Sequence, residues 1–263
     1  VYYQEVKQLL NNHIFDEDIA LSTCMPFIQK QMLLDTQNER FYDRSLLIAE
    51  QRAARNLLRL ALAGNREMEP FRGELVEEAQ KVCGIRYGRQ QRKAFNKLLL
   101  TRGVKILTGG PGTGKTSTIN GMLHAYEIMH PDHIIRLCAP TGRAAQRMSE
   151  STGRTAVTIH RLLDYQPDGL GANYRNEKNP VDADLVVVDE MSMADIRLFD
   201  MLLAALKTGT KLILVGDVNQ LESVGAGSVL NDLMGTSDLF IEKNRLTEVF
   251  RQKGGSPIID NSQ

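Results

Sequence analysis

Cysteine is scarce in this sequence. The three cysteines, Cys24, Cys83 and Cys138, lie far apart, with no CxxC pair and no Cys/His cluster. That spacing argues against a disulfide framework or a zinc site and fits reduced, buried thiols in a cytoplasmic protein. An excess of charge is also missing, since 32 basic residues face 32 acidic ones. A globally basic nucleic-acid binder is thereby excluded, but a local basic face is not. No apolar run approaches the ~18 residues of a membrane span, so no membrane partner is expected. The opening stretch VYYQEVKQLL is polar and charged, unlike a secretory leader. There is no internal repeat and no low-complexity tract. What is present is an ordinary globular composition of 263 residues, 42% hydrophobic and 24% charged. Such a length fits one or two domains with a sizeable core.

Residues 1–85 read differently from residues 86–263. Glu5–Asn12, Asp16–Ala20 and Met25–Met32 have mixed helical spacing. MLLDTQNERFYD is two short apolar stretches around the polar turn Asp35–Glu39, the pattern of a hairpin. Helices followed by a small hairpin predict a mostly helical, winged-helix-like module. Ser45–Ala63 is a long helix candidate rich in Leu, Ala and Arg, and Glu74–Val82 is another. From residue 86 the grammar becomes strand, turn, helix. Val104–Thr108, Ile134–Ala139, Leu185–Val188 and Lys211–Val215 are short apolar runs. Ser117–Met129, Ala144–Ser151 and Ile196–Lys207 are helical patterns between them. This alternation predicts an α/β fold, a parallel sheet with helices on both faces. Ligands of such sheets bind beyond the carboxyl ends of the strands.

The strongest motif is Gly109-Gly110-Pro111-Gly112-Thr113-Gly114-Lys115-Thr116, followed by Ser117. It matches Gly-x-x-x-x-Gly-Lys-Ser/Thr between an apolar strand and a helix, the context of a phosphate loop. Glycines let backbone N–H groups converge on phosphate oxygens, and the helix N-terminus favours the anion. Lys115 then reaches the terminal phosphates of ATP, and the Thr116 hydroxyl takes Mg²⁺. Asp189 and Glu190 end the apolar run Leu185–Val188. In such an enzyme the first acid holds Mg²⁺ and the second orients or deprotonates the attacking water. The bland alternative is an acidic helix start. Asp217, Asn219 and Gln220 follow a further strand, either as sensors of the γ-phosphate or as plain turn residues. Arg251, in LTEVFRQ, fits the logic of an arginine finger or is a surface arginine. Pro140, Thr141 and Arg143, with His160 further on, suit a nucleic-acid phosphate at a helix N-terminus, or a solvated helix face. Arg86–Lys105 contains seven cations and no acid, by default a solvated helix face. Gln91 within it, in Gln-x-x-Ala, suits an adenine edge. No Ser/His/Asp order is persuasive, and His124, His130 and His133 lack ligand partners.

Six ordered segments carry a resemblance: LTGGPGTGKTSTI, APTGRAAQRM, TIHRLL, NPVDADLVVVDEMSM, LVGDVNQLESVGAGSVL and LTEVFRQKGGSP. Together they resemble the RecD-like superfamily 1 DNA helicases, the exodeoxyribonuclease V alpha subunit and its stand-alone relatives. The resemblance implies a RecA-like motor that hydrolyses ATP, moves 5′ to 3′ on single-stranded DNA and unwinds duplex in recombination and repair, with other repair subunits as partners. It casts Gln91 as the adenine reader and Gly110, Pro111, Gly112, Thr113, Gly114, Lys115, Thr116 and Ser117 as the nucleotide cradle. Asp189 and Glu190 become magnesium ligand and base, and Gln220 and Arg251 γ-phosphate sensors. Pro140, Thr141, Arg143 and His160 become DNA contacts. The family carries a second RecA-like domain after its FRQ segment, so the chain is expected to be part of a larger protein and to unwind nothing alone. The alternatives are a non-translocating ATPase and a nucleotide-dependent DNA-binding or assembly module.

Overall fold

A computed structural model of the chain describes residues 32–35, 40–63, 73–165, 174–220, 223–236 and 241–250. The expected hairpin is there. β1 (Met32–Asp35) pairs antiparallel with β2 (Arg40–Asp43), Met32 opposite Asp43. The helices expected over Glu5–Asn12 and Asp16–Ala20, and most of Met25–Met32, lie outside the described residues.

α1 (Arg44–Ala63) follows the hairpin directly. The Asp43 carboxylate accepts from Ser45 N at 2.7 Å and Leu46 N at 3.1 Å, satisfying amides that the helix itself leaves orphaned. α2 (Gly73–Cys83) and α3 (Arg89–Leu100) precede the sheet. Then come β3 (Val104–Gly109), α4 (Lys115–Met129), β4 (Ile135–Ala139), α5 (Gly142–Thr152), β5 (Ala156–Thr158) and α6 (Ile159–Leu162). β6 (Leu185–Val188), a 3₁₀ turn (Met191–Met193), α7 (Ile196–Ala205), β7 (Lys211–Gly216), α8 (Val229–Gly235) and β8 (Glu242–Leu246) complete the order. The sheet runs β5-β4-β6-β7-β3-β8, with every neighbouring pair parallel. All six carboxyl ends therefore share one edge.

Both faces are buried, which is why the central strands read as unbroken apolar runs. Val186 and Val188 of β6 and Leu212 and Leu214 of β7 point into one core, shared with α1, α7 and α8. Leu185, Val187, Ile213 and Val215 alternate into the other, shared with α2, α3 and α4. Residues 44–63 and 73–83 thus belong to the packing of the sheet itself. The stretch Arg86–Lys105 is two elements rather than one solvated face. α3 buries Gln91, Ala94, Phe95 and Leu98. Lys105 lies in β3, 6% exposed and 3.5 Å from Glu242, and burial lowers its pKa against the pull of that carboxylate. The edge strand β5 is only three residues long, and Ser149 Oγ of α5 accepts from Ala156 N at 2.9 Å on its outer side.

Arg59 fastens α1 to the carboxyl end of α7. Its guanidinium donates to Leu203 O at 3.0 Å, Leu206 O at 2.9 Å and Thr208 Oγ1 at 2.9 Å. A cation at a helix carboxyl end also meets the favourable end of the dipole. Arg59→Ala is expected to cost about 1.5–3 kcal/mol, the range for charge-assisted hydrogen bonds. The measurement is the urea midpoint at an unchanged m-value; a midpoint equal to the wild type refutes the clamp.

Candidate active site

The loop between β3 and α4 sits at the shared carboxyl edge. Gly112 and Gly114 have φ of 79° and 82°, in the left-handed region where a side chain is strained. Gly109 is closed in for another reason: a Cβ there would lie 2.6 Å from Leu246 O. Thr113 Oγ1 donates to Gly110 O at 2.8 Å, tightening the turn. α4 begins at Lys115, two residues before the expected start, so its first-turn amides open onto the loop. Lys115 Nζ donates to Gly109 O at 2.5 Å and Gly110 O at 3.2 Å, placing the ammonium across the loop mouth. Thr116 is exposed on the first turn, Ser117 half-buried, and Pro111 exposed at the loop tip. The Ser117 carbonyl accepts from Tyr87 Oη at 3.0 Å. Gln91 is 2% exposed. Its carboxamide accepts from Gly88 N at 2.9 Å and donates to Thr113 O at 3.3 Å, which leaves one N–H and one lone pair uncommitted.

Two strands away, β6 delivers Asp189 and Glu190 to the same edge. Asp189 N donates to Cys138 O at 2.9 Å, so β4 sets its position. The Asp189 carboxylate accepts from Glu190 N at 2.8 Å. Glu190 has φ of 52°, a left-handed conformation that costs energy in a residue with a side chain. Burial pushes the pKa of Asp189 up, against the Glu190 amide and the Lys115 charge. Burial and the Asp189 charge push Glu190 up, against Lys115 and Arg147, with Asp217 adding to the rise. Ser192, just beyond, has a buried hydroxyl without a partner. Hydroxyl and carboxylate oxygens are the donor set that suits Mg²⁺. The Asp189 carboxylate, costly to bury as an anion and accepting a single hydrogen bond among the described residues, fits a cation.

The remaining candidates lie along the edge. After β7, Asp217 is 2% exposed and its carboxylate accepts from Asn219 N at 3.0 Å, forming the turn that presents Gln220 to solvent. After β4, Pro140 is half-buried and Thr141 caps α5, accepting from Ala144 N at 3.2 Å; Arg143 is exposed. After β5, Thr158 caps α6, and His160 is exposed with its ring 5.8 Å from that of Tyr165. The fold thus gathers Lys115, Asp189 and Glu190 around β3, β7 and β6. It sets Pro140, Thr141, Arg143 and His160 apart, beyond β6. Arg251 lies outside the described residues. Motif reading passes over Tyr87 and Gln90, whose contacts exist only in the folded chain, and Ser192, whose hydroxyl is buried only there.

A parallel sheet with a phosphate loop after β3 and paired acids after β6 defines a phosphate-loop NTPase. Residues 91–226, just over half of the chain, match the AAA domain family. The chain is 33% identical over 240 residues to the RecBCD enzyme subunit RecD of Mycolicibacterium smegmatis, covering 83% of this chain and 42% of that one. It is 44% identical over 154 residues to the ATP-dependent RecD2 DNA helicase of Deinococcus radiodurans, covering 59% of this chain and 20% of that one. Among solved structures, the crystal structure of Bacteroides sp Pif1 in complex with ADP-AlF4 aligns at 22% identity with a TM-score of 0.44, over 66% of this chain and 44% of that one. The chain belongs to the AAA domain family. It spans less than half the length of either RecD relative. No helix among the described residues is long and apolar enough to cross a membrane.

Proposed function

We propose that this chain supplies the first RecA-like motor, residues 86–263, of a cytoplasmic 5′–3′ DNA helicase acting in recombination and repair. Residues 1–85 are the helical, winged-helix-like part before it, with residues 44–63 and 73–83 packed directly on the motor's sheet, and a second motor domain and other repair subunits are its partners. The observation that carries the reading is the meeting of Lys115 with Asp189 and Glu190 at one sheet edge, next to the strands bearing Thr141 and His160.

In this reading the backbone N–H groups of Gly110 and of Gly112–Ser117 hold the phosphates of ATP, Pro111 having none to give, and Lys115 leaves its carbonyl partners for the terminal phosphates. Thr116 and Asp189 would hold Mg²⁺, which would supply charge neutralisation at the transferred phosphoryl group. Glu190 takes the proton of the attacking water. Gln91 uses its uncommitted donor and acceptor on the adenine edge. Gln220 and Arg251 sense the γ-phosphate. Pro140, Thr141, Arg143 and His160 contact single-stranded DNA through its backbone, which is sequence-independent and salt-sensitive.

The test is ATP hydrolysis by the complete protein that carries these residues, with and without single-stranded DNA. Stimulation that fades as salt rises is expected. Turnover indifferent to DNA points instead to a non-translocating ATPase, and nucleotide binding without turnover to an assembly module.

A further inference from the structure

Two adjacent glutamines open α3, and they are used differently. Gln91 turns to the phosphate loop. Gln90 turns to the chain leaving β8. Its Oε1 accepts from Thr247 N at 2.6 Å and Glu248 N at 3.3 Å, and its Nε2 donates to Thr247 Oγ1 at 2.7 Å. These contacts span more than 150 residues of sequence. The strand ladder stops at Leu246, so Thr247 and Glu248 have no strand to pair with, and one carboxamide takes both amides.

The same segment is fastened at its far end. Phe250 N donates to Gly112 O of the phosphate loop at 3.0 Å. Gly88, just before α3, lies close under this segment: a Cβ there would lie 2.5 Å from Glu248 Oε2 and 2.6 Å from Phe250 Cζ, so these side chains would have to shift. Leu246 O closes over Gly109 in the same way. The stretch Leu246–Phe250 is therefore laid along the loop, held by Gln90 at one end and Gly112 at the other.

We propose that Gln90 is a positioning residue for ATP turnover. It sets the register of Leu246–Phe250 against the phosphate loop, and so fixes the point from which the chain continues into Arg251. The proposal rests on the reading that this loop binds and hydrolyses ATP. Its role differs from that of a cradle residue: Gln90 touches no nucleotide, so its loss slows the chemical step and leaves ATP binding in place.

The experiment is steady-state ATP hydrolysis by the complete protein at saturating single-stranded DNA. Gln90→Met keeps length and bulk and removes every hydrogen bond. It is expected to lower kcat about five- to tenfold with KM for ATP within about twofold, the split that marks loss of an interaction felt only in the reacting complex. Gln90→Glu keeps two acceptor oxygens for the two amides, and the Thr247 hydroxyl can turn to donate to it. This variant is expected to recover most of the wild-type kcat, which mere bulk at the position would not explain. A Gln90→Met kcat equal to wild type, or a Gln90→Glu as slow as Gln90→Met, overturns the proposal. Should Gln90→Met fail to fold by circular dichroism, Thr247→Val removes only the hydroxyl contact; a lowered kcat supports the proposal and a wild-type kcat overturns it. Lys115→Ala separates the two levels: if that variant turns over ATP normally, the ATPase reading itself has failed.

Discussion

With Glu190 as the proposed base, Glu190→Gln is expected to lower ATP turnover of the complete protein by about 10²–10⁴-fold, the contribution of a positioned general base, and to leave nucleotide binding near that of the wild type. The amide has the shape of the carboxylate but cannot accept the proton of water. The environment makes the effect specific to this position. Glu190 is held at φ of 52°, and burial with the neighbouring Asp189 charge raises its pKa above the ordinary 4.5. Turnover needs the deprotonated form, so activity is expected to fall with decreasing pH while still above 4.5, as pH passes through the raised value. The stability sign is opposite. A carboxyl with a raised folded-state pKa stabilises the fold at low pH and loses that contribution as pH rises through it. Above the raised value Glu190 is thus a strained group that no longer adds to stability, and Glu190→Gln should melt no lower than the wild type. Turnover within a few-fold of wild type in this variant removes Glu190 as the base. A steep loss of melting temperature shows a structural role instead.

Lys115→Ala is expected to reduce hydrolysis by about 10²–10³-fold, as when a preorganised charge is taken from a developing anion. Unlike the Glu190 variant, it also weakens nucleotide binding, because the ammonium meets the phosphates in the ground state. The two are told apart by titrating a fluorescent ATP analogue. Lys115 lowers the pKa of both Asp189 and Glu190 through its charge. Its removal lets both rise further, so any residual turnover in Lys115→Ala should lose its acid limb at higher pH than the wild type. Normal hydrolysis in Lys115→Ala is incompatible with the phosphate-loop reading.

The parts of this fold that show in the sequence are those with a strong local cause. Leu185–Val188 and Lys211–Gly216 lie in the sheet interior, where burial on both faces forces unbroken apolar runs. The hairpin Met32–Asp35 and Arg40–Asp43 shows because its turn is polar. The sheet's outer strands do not show. Ala156–Thr158 is too short to make a pattern, and Glu242–Leu246 is mostly polar because only Asn244 and Leu246 are buried. α3 is masked by its cations, since one buried stripe around Phe95 suffices to hold it. At the candidate site, Gly109–Thr116, Asp189 and Glu190 stand out in the sequence because the phosphate-loop pattern specifies both residue type and spacing. Gln90 is not, because a glutamine that captures a chain segment leaves no periodic or spaced trace. Tyr87, bonded to the Ser117 carbonyl, is invisible for the same reason.

The two margins of the sheet have a further consequence. At one, the Ala156 amide is already engaged by the Ser149 hydroxyl. At the other, the strand carries Glu242 and Lys243, each bonded within the chain, and the exposed Arg245. Both devices discourage an incoming strand from extending the sheet sideways. A neighbouring domain or protein is therefore not recruited by being stitched into the backbone ladder, which is hard to undo. It is expected to meet this chain through side chains and loops instead, contacts that can be made and broken without unpairing a strand.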